Sequence, residues 1–373
     1  MASKRILITG GAGFIGSHLA DELLDRGYAV RALDCLSPQV HGPTAARPTY
    51  LASDVELQIG DVRDREAVRR ALRGVDAVFH LAAAVGVGQS MYQIEQYTAV
   101  NNVGTAVLLE ALIERPVERL VVASSMSIYG EGSYRLPDGT ETVAAERTRA
   151  QLQAGAWEPR SQFGLPLTPV PTPERKRPSL SSVYALSKYD QERLCLITGR
   201  AYNLPVVALR FFNVYGTRQA LGNPYTGVLA IFAARLLNGN PPLIFEDGLQ
   251  QRDFVSVRDV ASACVLALEK PEAAYGIFNV GSGHAATVRE VARRMAEVLG
   301  KPNIRPDITG KYRMGDIRHC FADISHARKV LGYEPQVPFS RGLAELAEWL
   351  RGQVATDRVA QMRAELEARG LTA

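Results

Sequence analysis

At 373 residues, 46% of them hydrophobic, the chain can bury a large core and exceeds one average domain, so two lobes are expected. Its 43 basic and 39 acidic residues mix along the sequence to a formal charge of +4, and the only compact basic run is Arg175-Lys176-Arg177, which argues against a nucleic-acid surface. Apolar stretches such as residues 75–84 and 228–237 are of strand or helix length, short of a membrane span.

The first residues run directly into a strand pattern without the apolar core of a secretory leader, so a cytoplasmic protein is expected. Apolar runs at 6–8, 30–33, 55–59, 77–81 and 120–123 read as strands buried on both faces. Between them, 15–26, 65–72 and 94–114 carry helical patterns, the first closed by Gly27 as a C-cap. Strands separated by helices predict an α/β fold, a Rossmann-type doubly wound parallel sheet.

The first strand leads into Thr9-Gly10-Gly11-Ala12-Gly13-Phe14-Ile15-Gly16. A phosphate-binding turn needs glycine where the chain turns tightly, where backbone approaches a pyrophosphate, and where helix packs closely on strand; Gly10, Gly13 and Gly16 suit these places. The helix that follows points its N-terminal amides at an anion. Asp34 ends the second strand, 23 residues after Gly11, where a carboxylate accepts from adenosine ribose hydroxyls and disfavours a 2′-phosphate. NAD is therefore the expected cofactor. Asp61-Val62 would sit by the adenine, although Asp61 also suits the N-cap of the next helix. His80, within an apolar strand, reads as a buried structural histidine whose following loop lines the cofactor.

Ser125 ends the fifth strand, at the sheet edge where such folds keep their ligands, so its hydroxyl is a candidate to hold a substrate oxygen. Ser124 and Ser127 are alternatives, and a strand-end serine also serves as a simple cap. From 131 to 182 the periodicity fails and prolines crowd the second half, which predicts a long insertion with one short helix near 144–154. Trp157, Phe163 and Leu165 give this segment something to pack with, so an ordered flap is expected.

Helix and strand resume at 183–202 and 205–212. Tyr184 and Lys188 stand at i, i+4 on one helical face. A free phenol titrates near pH ~10, so a base working near neutrality needs about 4 kcal/mol of help. One cation at ~4 Å supplies up to about 4 kcal/mol at an effective dielectric of ~20, so Lys188 together with a positive nicotinamide ring is expected to poise Tyr184. Beyond Asn213 a mixed region with a helix near 228–237 and short strands at 243–245 and 277–280 predicts a smaller α/β lobe on the sheet's C-terminal edge. The expected domains are thus 1–212 with the 131–182 insertion, a mainly substrate-binding 213–350 that sends some segments back to the first domain, and a helical extension over 351–373. Cys35, Cys195, Cys264 and Cys320 form no CxxC pair and read as small buried apolar residues, with no metal site.

Taken together these residues resemble the extended short-chain dehydrogenase/reductase family, specifically its nucleotide-sugar epimerases and dehydratases. The resemblance runs from about residue 5 to 349 outside the insertion. It rests on the glycine loop, His80-Leu81-Ala82-Ala83, Asn101-x-x-Gly104-Thr105, Ser124-Ser125, Tyr184-x-x-x-Lys188, Arg210-Phe211-Phe212-Asn213-Val214-Tyr215-Gly216, Arg252-Asp253-Phe254-Val255 and Arg313-x-Gly315-Asp316. It implies Ser125, Tyr184 and Lys188 as the catalytic set. It implies that NAD is held by Gly10, Gly13, Phe14, Ile15, Gly16, Asp34, Asp61, Val62, Leu81, Ala82, Ala83, Asn101 and Ser124 together with Tyr184 and Lys188. A nucleotide-diphosphate sugar would meet Ser125, Ser127, Asn213, Val228, Arg252 and Arg313. Guanidinium forks suit a diphosphate; as surface residues the two arginines would instead pair with Asp253 and Asp316.

Family members that eliminate water or decarboxylate carry an acid one or two positions after the catalytic serine or threonine; here Met126 and Ser127 stand there, so dehydration is not expected. The small-residue run from Ala82 to Ser90 leaves a sugar room to turn. The implied reaction is C4 epimerisation through a 4-keto sugar. The insertion and the Asn223-Pro224-Tyr225-Thr226-Gly227-Val228 stretch are most similar to dTDP-L-rhamnose 4-epimerases; UDP-glucose, UDP-glucuronate or another nucleotide hexose could replace that substrate. An NAD(P)H-dependent 4-ketosugar reductase and a non-catalytic dinucleotide sensor are the rival readings. The family further implies a homodimer through 94–114 and 183–202.

Overall fold

Seven parallel strands form the central sheet of the computed structural model: β1 (Arg5–Thr9), β2 (Ala29–Asp34), β3 (Glu56–Ile59), β4 (Ala77–His80), β5 (Arg119–Ser125), β6 (Val206–Phe211) and β7 (Ile277–Val280). The structure describes residues 3–44, 46–223, 225, 227–313, 315–353 and 357–372. Their order is β3-β2-β1-β4-β5-β6-β7. The chain leaves β1 toward one edge and later resumes at β4 toward the other, and this reversal opens a crevice above the C-terminal ends of β1 and β4.

Alternation along β1 assigns its two faces. Ile6 and Ile8 join Leu19 and Leu23 of α1 (Phe14–Asp25) in one core, which also takes in Val260 and Cys264 of a later helix. Leu7 joins the other core, with Val68 of α2 (Arg65–Ala71), Leu108 and Leu112 of α3 (Gly104–Glu114), and Leu196 of α4 (Val183–Ala201). The later helix on the first face is α5 (Val257–Glu269). The expected doubly wound α/β sheet is present.

Four local expectations are corrected. β3 is the sheet edge, with Glu56 and Ile59 exposed, so its apolar pattern does not mark a strand buried on both faces. The stretch 94–114 is interrupted by a π-helical turn, Ala99–Val103, whose extra residue turns Asn101 inward. The insertion's helix is confined to Arg149–Gln153, capped by Thr148. Strand 277–280, assigned to the smaller lobe, is β7, because its Phe278 and Val280 pack into the first core. Of the four cysteines, Cys35 is exposed and the other three are buried.

Residues beyond β6 build a third core from Tyr215, Phe232, Phe254, Met295 and Leu346, contributed by strands Asn213–Tyr215 and Gln251–Ser256 and helices Val228–Leu237, Val288–Val298 and Phe339–Leu350. A last helix, Val359–Glu367, packs Val359, Met362 and Leu366 against Tyr92 and Tyr225. Among the described residues no helix is long and apolar enough to cross a membrane.

The insertion is an ordered flap. Strands Ser133–Arg135, Glu141–Thr142 and Thr168–Val170 form a small antiparallel sheet, which its scattered prolines hide from periodicity. Charge fastens it to the second lobe. Fully buried Arg318 reaches Glu246 at 2.9 Å, Asp247 at 2.6 Å and Glu158 at 2.6 Å, while Arg147 meets Glu246 at 2.7 Å. Glu131 accepts from the backbone amides of Arg318 and His319, and His319 bonds Glu158 at 2.9 Å. Hydrogen bonds from His319 and Arg318 hold the Glu158 carboxyl down to about 2.

A buried charge stripped of its partner costs about 3–5 kcal/mol. We predict that Arg318→Leu, which leaves Glu246 and Asp247 without this partner, lowers unfolding stability by at least about 3 kcal/mol in urea titration and exposes 131–182 to protease. An unchanged midpoint would show that the cluster contributes no net stability.

Candidate functional site

The glycine loop is built by close backbone approach. Gly10 has φ +71°, and a Cβ on it would stand 2.9 Å from the Ala82 nitrogen; one on Gly16 would stand 2.3 Å from the Gly10 oxygen. Gly10 N–H donates to Leu33 O at 2.8 Å, and Ser17 N–H to Gly13 O at 2.9 Å. Gly13 is the N-cap of α1 with no side-chain cap and no acid in the first turn, so the helix's leading amides face the crevice unblocked. Phe14 and Ile15 begin the helix, Phe14 edge-on to His18 and Ile15 against the first core.

Asp34 shapes this loop as well as facing the crevice: its carboxylate accepts from Ala12 N–H at 3.0 Å and Leu36 N–H at 2.9 Å. Asp61 is not the helix cap. Asp64 is, accepting from the Glu66 and Ala67 amides, while Asp61 pairs with Arg63 at 2.7 Å, which holds its carboxyl below the usual range. Val62 packs where Gly104 leaves room, since a Cβ there would lie 2.7 Å from it.

After β4, Leu81 N–H donates to Thr9 O and Ala82 N–H to Thr9 Oγ1, followed by Ala83. Asn101 is spent on shaping this loop. Its amide pairs with both backbone groups of Ala84, at 2.8 and 3.1 Å, and bonds Ser187 Oγ at 2.9 Å. Ser124 points away from the crevice, donating to Glu192 at 2.6 Å, because it is one residue out of phase with Ser125 along β5. Ser125 and Ser127 face inward together, their hydroxyls 2.8 Å apart.

Ser182 caps α4, and Tyr184 lies in its first turn, where the helix dipole favours an anion. Burial pushes the Tyr184 phenol up, and a hydrogen bond with Ser125 pulls the other way. Tyr97 packs edge-on against its ring, with centroids 6.3 Å apart. Lys188 is buried, which lowers its ammonium to about 8, and it donates to Gln191 Oε1. His80 is the buried structural histidine expected, held low at about 3 by burial and by Lys188.

Facing this set across the crevice is the second lobe. Asn213 Oδ1 is buried with no hydrogen-bond partner among the described residues, in a place where such groups are normally satisfied. Arg252 does not pair with Asp253, whose carboxylate accepts from the Ser282, Gly283 and Ala322 amides. The guanidinium instead donates to the carbonyls of Gln251, Arg318 and Ile317. Arg313 does form the ion pair foreseen with Asp316, at 2.8 Å, and lies over the Phe245 ring. Val228 opens its helix directly after Gly227; of the neighbouring motif, Pro224 and Thr226 lie outside the described residues. The last helix completes the wall, where Glu365 accepts from Tyr92 at 2.9 Å and Tyr225 at 2.7 Å.

Sequence reading missed the pair beneath the serines. Glu192 holds Arg210 at 2.7 Å and Ser124 at 2.6 Å, and Arg210 reaches Tyr129 at 2.8 Å. Glu192 follows Lys188 by four residues, so helical spacing was the available signal.

Comparison with known proteins matches residues 6–153 and 161–281 to the NAD dependent epimerase/dehydratase family. A dTDP-L-rhamnose 4-epimerase of Burkholderia thailandensis is 37% identical over 351 residues, covering 93% of this chain and 95% of that protein. A putative UDP-glucose 4-epimerase of Methanocaldococcus jannaschii is 31% identical, covering 94% of this chain and all of its own length (100%). Among solved structures, a UDP-glucose 4-epimerase of Thermus thermophilus in complex with NAD is 34% identical with a TM-score of 0.73, covering 94% of this chain and 100% of that one.

Removing the carboxylate of Asp34 leaves the Ala12 and Leu36 amides unpartnered beside the dinucleotide crevice. Asp34→Ala should weaken NAD binding by at least about tenfold, or ~1.4 kcal/mol, in calorimetric titration of cofactor-free protein. Unchanged affinity would remove Asp34 from the binding surface.

Proposed function

Because the chain belongs to the NAD dependent epimerase/dehydratase family, we propose that it is an NAD-dependent nucleotide-sugar 4-epimerase that interconverts dTDP-L-rhamnose and dTDP-6-deoxy-L-talose. The observation that carries this reading is Tyr184 in the first turn of α4 with Ser125 and Ser127 turned inward together, beside a glycine loop whose Gly10, Gly11 and Gly16 leave no room for a Cβ. The similarity to the Burkholderia protein, at 37% over nearly the full length, favours the rhamnose substrate. Met126 and Ser127 in place of an acid favour epimerisation over dehydration.

The residues fit NAD. Gly10, Gly13 and Gly16 admit its pyrophosphate to the leading amides of α1, and Asp34 faces its ribose. Phe14, Ile15, Asp61, Val62, Leu81, Ala82 and Ala83 line the remaining walls, while Asn101 and Ser124 act by shaping them. Bound there, NAD supplies a reversible hydride acceptor for C4. Tyr184, as phenolate, takes the proton from the sugar's 4-hydroxyl while Ser125 donates to the same oxygen. The buried ammonium of Lys188 and the positive end of α4 both favour that phenolate. Tyr184 returns the proton when the ketone is reduced on its opposite face.

Asn213, Arg252 and Arg313 hold the nucleotide diphosphate during this rotation, with Ser127 and Val228 beside the sugar. Arg252 commits three of its five N–H donors to carbonyls, which fixes its plane and leaves two for phosphate oxygens. In this reading residues 1–212 hold the cofactor and 213–350 mainly the nucleotide sugar, with some segments returning to the first domain, while helix Val359–Glu367 packs beside Tyr92 and Tyr225. A homodimer is part of the same proposal, supported by exposed Ile94, Val103, Leu186 and Ile197 on the two helices concerned. The free thiols accord with a reducing, cytoplasmic location.

Incubation of purified protein with dTDP-L-rhamnose and no added cofactor should yield the 4-epimer by NMR, with NAD recovered after denaturation. Turnover of UDP-glucose or UDP-glucuronate but not the rhamnose compound would replace the substrate. A requirement for stoichiometric NAD(P)H would make the protein a ketosugar reductase. Tyr184→Phe should cut kcat by at least about 10²-fold while NAD stays bound; undiminished turnover would remove Tyr184 from the chemistry.

A further inference from the structure

Behind Lys188 runs a row of buried polar side chains that the proposed reaction does not use. Gln191, on the next turn of α4, accepts from the Lys188 ammonium through Oε1. Its Nε2 lies 2.9 Å from His80 Nε2 and 2.9 Å from Thr105 Oγ1. The opposite ring nitrogen, His80 Nδ1, is 2.8 Å from Thr9 Oγ1, which already accepts the Ala82 amide. Thr9, His80, Thr105 and Gln191 are all fully buried, where a proton without an acceptor is costly.

Proton counting then assigns the tautomer. An ammonium only donates, so Gln191 must turn its oxygen to Lys188 and its NH₂ to the histidine. Those two hydrogens meet His80 Nε2 and Thr105 Oγ1. His80 Nε2 also lies 2.9 Å from Thr105 Oγ1, so a proton there could go to Thr105 while the Thr9 hydroxyl donates to Nδ1; both Gln191 hydrogens find acceptors only if Nε2 carries the lone pair and Nδ1 the proton, donated to Thr9. Thr105 has its own acceptor in Asn101 O at 2.5 Å.

We propose that Gln191 is a positioning residue for Lys188, held in place by a neutral, Nδ1-protonated His80, so that the row Thr9–His80–Gln191–Lys188 aims the ammonium from the strand that carries the glycine loop. The proposal rests on the reading that Lys188 serves Tyr184. A lysine stem has many rotamers, and an acceptor locked at both ends removes that freedom. The acceptor also opposes burial, which favours the neutral amine. The other charged or titratable groups facing Lys188 are Glu192 and Cys195, which favour its charge, and His80, which is neutral here.

The test combines two Gln191 variants with histidine NMR. In the parent protein, ¹⁵N-resolved spectra, with the His80→Asn variant identifying the resonance, should show His80 protonated at Nδ1 and bare at Nε2 through neutral pH. Gln191→Met removes the acceptor without shortening the side chain. It should lower kcat about tenfold with KM for the nucleotide sugar within about threefold, and should move the alkaline limb of the kcat profile to lower pH, because Lys188 loses its proton more readily. Gln191→Glu restores an acceptor for Lys188 but offers His80 no N–H. It should move that limb back to higher pH and transfer the His80 proton to Nε2. A parent His80 protonated at Nε2 overturns the proposal whatever the kinetics, and so does an alkaline limb that stays put in both variants. If no nucleotide sugar turns over, the functional reading fails while the parent histidine spectrum still decides the tautomer.

Discussion

Gly10 passes so near the chain after β4 that a methyl group on it would stand 2.9 Å from the Ala82 nitrogen. Backbone is packed against backbone where β1 and β4 diverge, and the rest of the site depends on that contact. It brings the amides of α1 to the mouth of the sheet, sets the small-residue loop that would face a sugar, and places Thr9 where its hydroxyl receives Ala82 and neighbours His80. A side chain on Gly10 would push the two strand ends apart and with them the cofactor wall from the catalytic helix.

Ionisable groups around the crevice have their protons set by burial as much as by partners. The Lys188 amine is lowered and the Tyr184 phenol raised by the same desolvation. A cation and an anion so placed favour each other's charged forms, so Tyr184 and Lys188 gain most by ionising together. Below them, the Glu192–Arg210 pair keeps its charges in the interior because each carboxylate oxygen and several guanidinium hydrogens find partners. That pair ties β6 to α4, and the Ser124–Glu192 hydrogen bond ties the end of β5 to the same helix, which together set the spacing of Ser125 from Tyr184.

The sheet was legible because its strands are apolar runs punctuated by glycine, and Gly10, Asp34, Ser125 and Tyr184 were legible because spacing from strand ends fixes where side chains point. What spacing could not convey was direction of hydrogen bonding. Ser124 and Ser125 are adjacent in sequence and opposite in role, Asn101 turns inward only because of a π turn, and Arg252 spends three donors on carbonyls, two of them supplied by distant Ile317 and Arg318. Nor could periodicity find the small sheet of the insertion, whose strands are two or three residues long.

The insertion departs and returns beside one point of the main fold: Gly130, at its start, lies so close to Ser179 near its end that a Cβ would meet the Ser179 oxygen at 2.5 Å. A segment with adjoining ends can be exchanged for another length of chain without stretching the sheet, so it is free to diverge faster than the scaffold beneath it. Its tether is electrostatic, and a descendant that discarded it would strand Arg318 and Glu246 facing one another with fewer counter-charges. Loss of the flap and replacement of those two residues should therefore travel together through evolution.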